Sequence, residues 1–208
     1  MKTSIATLNK GVLRPRDAKE IYTQPALQFQ RLEKTGTLLK LAHGYYLLVP
    51  EAMRGKAWRP EMEALALALG QADYGKNAVA LMHISAARIH GAIPRALALA
   101  VLAVPKQRPA LETKFGRIIF VKRDVSELQR IRIDTELGSG WSTNLEQTTL
   151  DLAKRENLVL DFKEVVQEAA VTLFLRIGRD KLSAFATKRD MAPNFSKVES
   201  WVGNARSQ

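Results

Sequence analysis

A chain of 208 residues has room for one large or two small domains, and 46% hydrophobic with 25% charged residues is the balance of a folded soluble protein. The lack of cysteine excludes disulfides and thiolate metal sites. The formal charge of +11 is uneven: residues 1–60 hold 11 Lys/Arg against 4 Asp/Glu, a surplus of 7 that leaves +4 for all the rest. A basic excess confined to one small unit points to a polyanion bound there. Met1-Lys2 opens a mixed polar segment in place of a secretory leader, and the richest apolar run, Ala96 to Val104, is too short to span a bilayer. No segment sets a cationic face against a Trp/Phe/Leu face. The expectation is a cytoplasmic protein that does not engage membranes.

Ser4 to Lys10 reads as a short opening helix capped by Ser4 and closed by Gly11. Arg14 to Pro50 then has the order of a winged helix-turn-helix. Pro15 suits the first turn of a helix, with Asp17 and Glu20 at its positive end and Ala18 and Ile21 facing inward. That helix is expected to stop near Tyr22-Thr23. Thr23 is the expected N-cap of a second helix that has Pro25 close to its start. Phe29 and Leu32 would face the core. Gln24, Gln28 and Arg31, at i, i+4 and i+7, would share the outer face. Gln pairs bidentately with adenine and Arg with guanine, so that face has the chemistry of base readout. Gly36 ends the helix, Thr37 to Ala42 forms a strand, His43-Gly44 turns, and Tyr45 to Val49 returns. Arg14, Arg16, Lys34, Lys40 and His43 are the expected phosphate contacts. The plainer reading of the same stretch is a helix pair packed on a hairpin for stability alone.

Residues 51–59 read as a polar, basic linker, and 60–208 as a second domain. Pro60 opens a helix running to Gln71 with Gly70 near its end, and Asn77 to His90 forms another. Ala96 to Val104, Phe115 to Lys122 and Leu128 to Asp134 are expected strands. Gly138-Ser139-Gly140 is expected to be a loop. Ser142 or Thr143 would cap a helix to about Arg155, with Glu146 completing a capping box on Thr143. Asp161 would cap a helix to about Ile177, and Lys181 to Lys188 continues with helical character. The tail from Pro193 would close as a short helix or stay loose. The fold class is α+β, a winged helix-turn-helix followed by a small sheet with helices around it.

Catalytic chemistry is not apparent. His83 and His90 lie seven apart on one expected helix, about two turns distant and too far to chelate one metal. Gly138-Ser139 followed by Asp151 is similar to a nucleotidyltransferase pattern. The position that would carry the second metal-binding acid is Ala153, so half the carboxylates are missing. Asp151 reads better as an ion-pair partner for Arg155, four positions on. The sequence points to no catalytic residue, no metal and no cofactor.

Three stretches together resemble the AbiEi family of antitoxins from bacterial abortive-infection and type IV toxin–antitoxin systems. They are QFQRLEKTGTLLKLAHGYYLL in the winged unit, ALMHISAARIHGAIP with Ser85, Ala86, Ala87, His90 and Gly91, and TNLEQTTLDLAKR with Glu146, Thr148 or Thr149, and Asp151. The resemblance spans about residues 12 to 155. It implies an N-terminal winged helix that binds inverted repeats in its own promoter as a repressor; symmetry would then put two molecules on the repeat, as a preformed homodimer or by cooperative assembly on DNA. It implies a C-terminal domain that neutralises a cognate nucleotidyltransferase-like toxin. A second, different class remains open from the residues alone: a non-catalytic module whose basic face binds an acidic protein or RNA.

Overall fold

The computed structural model describes Ile5 and residues 11–206. The expected opening helix, Ser4 to Lys10, lies outside the described residues except for Ile5. The protein is a mixed α/β fold built on two sheets. Among the described residues no helix is long and apolar enough to cross a membrane.

A three-stranded antiparallel sheet forms first. Its strands are β1 (Val12–Leu13), β2 (Leu38–Ala42) and β3 (Tyr45–Leu48), with β3 in the middle. The β2–β3 hairpin turns at His43-Gly44, where Gly44 takes a positive φ of 78° that a side chain would resist. Leu41 is skipped in the ladder, since Lys40 pairs with Tyr46 and Ala42 with Tyr45. Strand β1 escaped the sequence reading because two residues carry no period.

The first expected helix is absent. In its place Pro15–Ala18 makes one 3₁₀ turn, and Tyr22 N donates to Ala18 O before the chain unwinds. Helix α1 (Pro25–Lys34) follows. Its N-cap is Gln24, whose side chain makes no cap bond, so Thr23 does not fill that role. The end of α1 is well built. Gly36 sits at φ 72°, Gly36 N donates to Glu33 O at 3.0 Å and Thr37 N to Leu32 O at 2.9 Å, which satisfies two of the last carbonyls. Phe29 is fully buried and meets Tyr46 edge-on at 5.1 Å and 86°, fixing α1 on the hairpin.

Residues 51–59 are exposed apart from Trp58, whose indole N–H donates to Glu136. Helix α2 (Met62–Tyr74) then runs between the two sheets. Its residues 62–70 are all buried, because one side meets Val12, Leu41 and Leu47 and the other meets Ala100, Leu102, Ile118 and Phe120. Gly70 does not end the helix. A side chain there would collide with Leu102, so the glycine lets helix and sheet approach.

The second sheet has the order β6-β7-β5-β4-β9-β8. Strands β5 (Leu99–Val104), β7 (Gly116–Lys122) and β8 (Arg130–Thr135) fall within or beside expected strands, and β5 is buried along its whole length. Three assignments change. The expected helix from Asn77 is first strand β4 (Ala80–Leu81), paired on both sides, and α3 (His83–Ile89) starts only after it. The break is sharp: Met82 is extended and His83 has φ 56°. The expected loop at Gly138-Ser139-Gly140 is the start of strand β9 (Gly138–Thr143). Gly140 is small because Leu67 and Gln71 of α2 press on that strand, so a loop-like composition recorded close packing. Strand β6 (Leu111–Thr113) was not expected.

Helices α4 (Leu145–Lys154), α5 (Lys163–Ile177), α6 (Arg179–Lys188) and α7 (Ala192–Arg206) cover the other face of this sheet. The cap of α4 is Asn144, which accepts from Gln147 N at 2.9 Å, and not Ser142 or Thr143. A 3₁₀ segment, Glu156–Phe162, occupies the place where Asp161 was expected to cap α5.

Candidate nucleic-acid interface

At 3.6 residues per turn, the direction opposite buried Phe29 on α1 is occupied by Gln24, Leu27, Arg31 and Lys34. All four are exposed. Gln28 stands a quarter-turn or so away and is only half-exposed, so it flanks this stripe and does not share its face with Gln24 and Arg31 as the spacing predicts. Leu27, 42% exposed, belongs to the stripe and was not singled out. It is an apolar residue among polar ones, the kind of side chain that meets a thymine methyl. No carboxylate lies on the stripe: Glu33, the only acid of α1, points to the side of Phe29. Among the described residues Arg31 and Lys34 form no ion pair. Thr23 is exposed just ahead of the helix.

The hairpin stands beside this helix through the Phe29–Tyr46 contact and the Thr37 N to Leu32 O bond. Lys40 on β2 and His43 at the turn are exposed and unpaired among the described residues. The structure therefore places Gln24, Arg31, Lys34, Lys40 and His43 on exposed surfaces of one small unit.

Arg14 is different. Its side chain is 13% exposed, and its guanidinium is held by Asp17, at 3.1 Å, and by Asp73 of α2. It is an internal tie and is withdrawn from the phosphate contacts. Asp73 is the centre of that tie. It also accepts from Tyr45 OH at 2.7 Å and from Arg108 Nη1 at 2.6 Å. Burial, followed by the bond to Asp73, pushes the Tyr45 phenol above its ordinary range. Arg16 reaches the same carboxylate at 3.8 Å but keeps 65% of its side chain exposed, so it stays available to solvent anions. Lys114 N donates to Leu41 O at 2.8 Å, a backbone bond between the hairpin and the β6–β7 turn. The hairpin unit thus reaches the larger sheet through an ion cluster, a backbone bond and a shared core, as well as through residues 51–59.

The histidines and the Glu146–Asp151 stretch form a second constellation, inside the larger unit. Ser85 Oγ accepts from Val101 N at 2.8 Å, and His90 Nε2 lies 2.8 Å from Thr143 O. Thr143 and Thr148 share a 2.7 Å hydroxyl bond, and Lys181 meets Glu146 at 2.8 Å. Arg176 donates to the carbonyls of His90 and Gly91. Asp151 is fully buried and takes Arg123 at 3.3 Å and Gln147 at 3.2 Å, so its ion-pair partner is Arg123 and not Arg155. Burial raises the Asp151 carboxyl above its ordinary range even against the pull of Arg123. His83 is also fully buried. Its Nε2 is 3.1 Å from Arg155 O and therefore donates, while its Nδ1, like Asp151 Oδ2 and Arg155 Nε, has no hydrogen-bond partner. Burial holds the imidazole neutral by lowering its pKa to about 4. Among the described residues no group of three or more His, Cys, Asp or Glu is placed to hold a metal ion.

This seam joins α3, α4 and β5 to one another. It presents no exposed row of donors, and the α1 stripe does. No protein-family model matches the chain, and no curated protein aligns with it significantly.

Proposed function

We propose that the chain is a DNA-binding antitoxin that represses its own promoter and neutralises a cognate nucleotidyltransferase-like toxin. The N-terminal unit acts as a reduced winged helix, in which the 3₁₀ turn Pro15–Ala18 stands in place of the first helix of a helix-turn-helix, α1 is the recognition helix and the β2–β3 hairpin is the wing. The observation that carries this reading is the acid-free, exposed stripe Gln24, Leu27, Arg31, Lys34, set beside a hairpin bearing Lys40 and His43. Gln24 and Arg31 read base edges in the major groove, with Gln28 at the flank and Leu27 supplying apolar contact. Arg16, Lys34, Lys40 and His43 meet phosphates and set register. Thr23, just ahead of α1, lies where a hydroxyl reaches the backbone of the duplex. Two molecules occupy an inverted repeat, one on each half-site.

The second half of the proposal, toxin neutralisation by the larger unit in the cytoplasm, is supported by the resemblance of Ser85–Gly91 and Glu146–Asp151 to the AbiEi antitoxins. The test for the first half is a gel-shift titration on the DNA upstream of the chain's own gene, beside scrambled DNA of equal length, at two salt concentrations. Preferential, salt-sensitive binding upstream is the expected result. Equal weak binding to both DNAs would sink the repressor reading and leave a basic module for protein or RNA. The test for the second half is co-expression with the adjacent gene, scored by rescue of growth and by co-purification.

A further inference from the structure

The larger sheet has two edges, and they are treated differently. At one edge, β6 is three residues long, and the turn that follows it is bonded to the hairpin through Lys114 N and Leu41 O. At the other, β8 runs for six residues in unbroken antiparallel register with β9, from Arg130↔Thr143 to Thr135↔Gly138. It contains no proline, glycine or bulge, and among the described residues no strand pairs with its outer side. Proteins ordinarily blunt such an edge, because its free N–H and C=O groups template another strand.

The side chains of β8 say what kind of strand fits. Arg130 and Arg132 stand opposite Thr143 and Trp141 on one face, and Ile131 and Ile133 stand opposite Ser142 and Gly140 on the other. Ile131 is 40% exposed. Arg130 lies 4.5 Å above the Trp141 ring and donates to Asn77 O, and Arg132 donates to Ser139 Oγ at 2.8 Å. Both guanidiniums are thereby held in place, yet neither forms an ion pair among the described residues. A strand laid against β8 meets two positioned cations, Arg130 and Arg132, and then Asp134 on one face, and an isoleucine pair on the other. A second copy of this chain fits poorly, since each copy carries +11 and β8 itself has two arginines to one aspartate.

We propose that β8 is a docking edge for an extended segment of a protein partner in which acidic and apolar side chains alternate. The partner adds a seventh strand to the sheet, main-chain bonds supply affinity, and Arg130, Arg132 and Ile131 select the sequence. The proposal rests on the part of the reading above that gives the larger unit a protein partner, but its test does not need that partner.

The probe is a blocked eight-residue peptide alternating Glu with Val, titrated into the full chain while backbone amide signals are followed by NMR. Saturable shifts centred on residues 130–135 are expected. Replacing every Glu by Lys should weaken binding several-fold, since the pairs at Arg130 and Arg132 change from attraction to repulsion and only the one at Asp134 changes the other way. Arg132→Glu, at an exposed position that leaves the fold intact, should reverse that preference. Three results overturn the proposal: no shifts at β8 at millimolar peptide, equal binding of both peptides, or self-association of the chain through β8. If the peptide binds as expected while co-expression with the adjacent gene gives neither rescue of growth nor co-purification, the docking edge stands and the toxin reading falls.

Discussion

Two regions of this molecule put polar side chains to opposite ends. On α1, Gln24, Arg31 and Lys34 face outward with no internal partner, so folding leaves their hydrogen-bonding capacity unspent. In the seam between α3, α4 and β5, the polar groups of Ser85, His90, Thr143, Thr148 and Asp151 are bonded inside the protein and have little to offer a ligand. Polarity and helical spacing do not separate the two cases. Burial and the presence of an internal partner do.

The comparison breaks most visibly at Asp151. Asp151→Ala removes the acceptor of Arg123 and Gln147 in a fully buried site, and should destabilise the protein by about 3 kcal/mol, the low end for breaking a buried pair because Arg123 is part-exposed. Asp151→Asn keeps an acceptor and should cost about half as much. Urea unfolding measures both. A loss below about 0.5 kcal/mol for the alanine variant would show that the seam does not hold the fold together.

The seam should also give the protein an acid limit. His83 titrates near its ordinary 6.5 when unfolded and at about 4 when folded, so between those values the unfolded chain binds the extra proton. Stability from this group is therefore complete above pH 6.5 and lost as pH falls toward 4, by about 3 kcal/mol in all. Asp151, whose folded pKa is raised, acts in the opposite sense and gains as pH falls. The informative quantity is thus the difference between the native protein and His83→Asn, which tolerates the positive φ and does not titrate. Thermal unfolding from pH 7 to 4 should show a shallower fall in the variant. Parallel curves would mean that His83 is not the group responsible.

How far this was legible in the sequence differs between the same two regions. The hairpin, α1 and the sides of Phe29 follow from period and turn chemistry, because a small unit with one buried face leaves a clean pattern. The larger unit hides its elements. Strand β4 is two residues inside an Ala-rich, helix-like run, and only its pairing with β5 and β9 makes it a strand. Gly140 reads as a loop residue until Leu67 and Gln71 are seen against it. Asp73, which gathers Arg14, Tyr45 and Arg108 from three parts of the chain, has no local signature at all. Leu27 does carry a signal in the sequence, as an apolar residue at the angle of the polar face.

On the exposed side the effects should be smaller and confined to DNA. Arg31→Ala should weaken binding to the upstream site by roughly 1–3 kcal/mol and relax specificity at one base pair, with no change in thermal stability. Equal losses on upstream and scrambled DNA would reassign Arg31 to the phosphates. Leu27→Ala should fall below that range, as a single methyl contact does.

The finest distinction sets Lys40 against Arg14, two cations that sequence alone put in one class. Lys40 is exposed and unpaired among the described residues, whereas Arg14 is gripped by Asp17 and Asp73. Each phosphate contact releases counterions and contributes about 0.9 to the slope of log affinity against log salt. Lys40→Ala should therefore lower that slope by about one, weaken all DNA sequences alike, and leave the melting temperature where it was. Arg14→Ala should do the reverse: the melting temperature falls because Asp17 and Asp73 lose a partner, and the salt slope of the folded protein is unchanged. Titrations at four or more salt concentrations, read beside a melting curve for each variant, resolve the two. If Arg14→Ala lowers the slope and Lys40→Ala does not, the hairpin does not meet the backbone of the duplex, and the face that binds DNA is the one around the 3₁₀ turn at Pro15–Ala18.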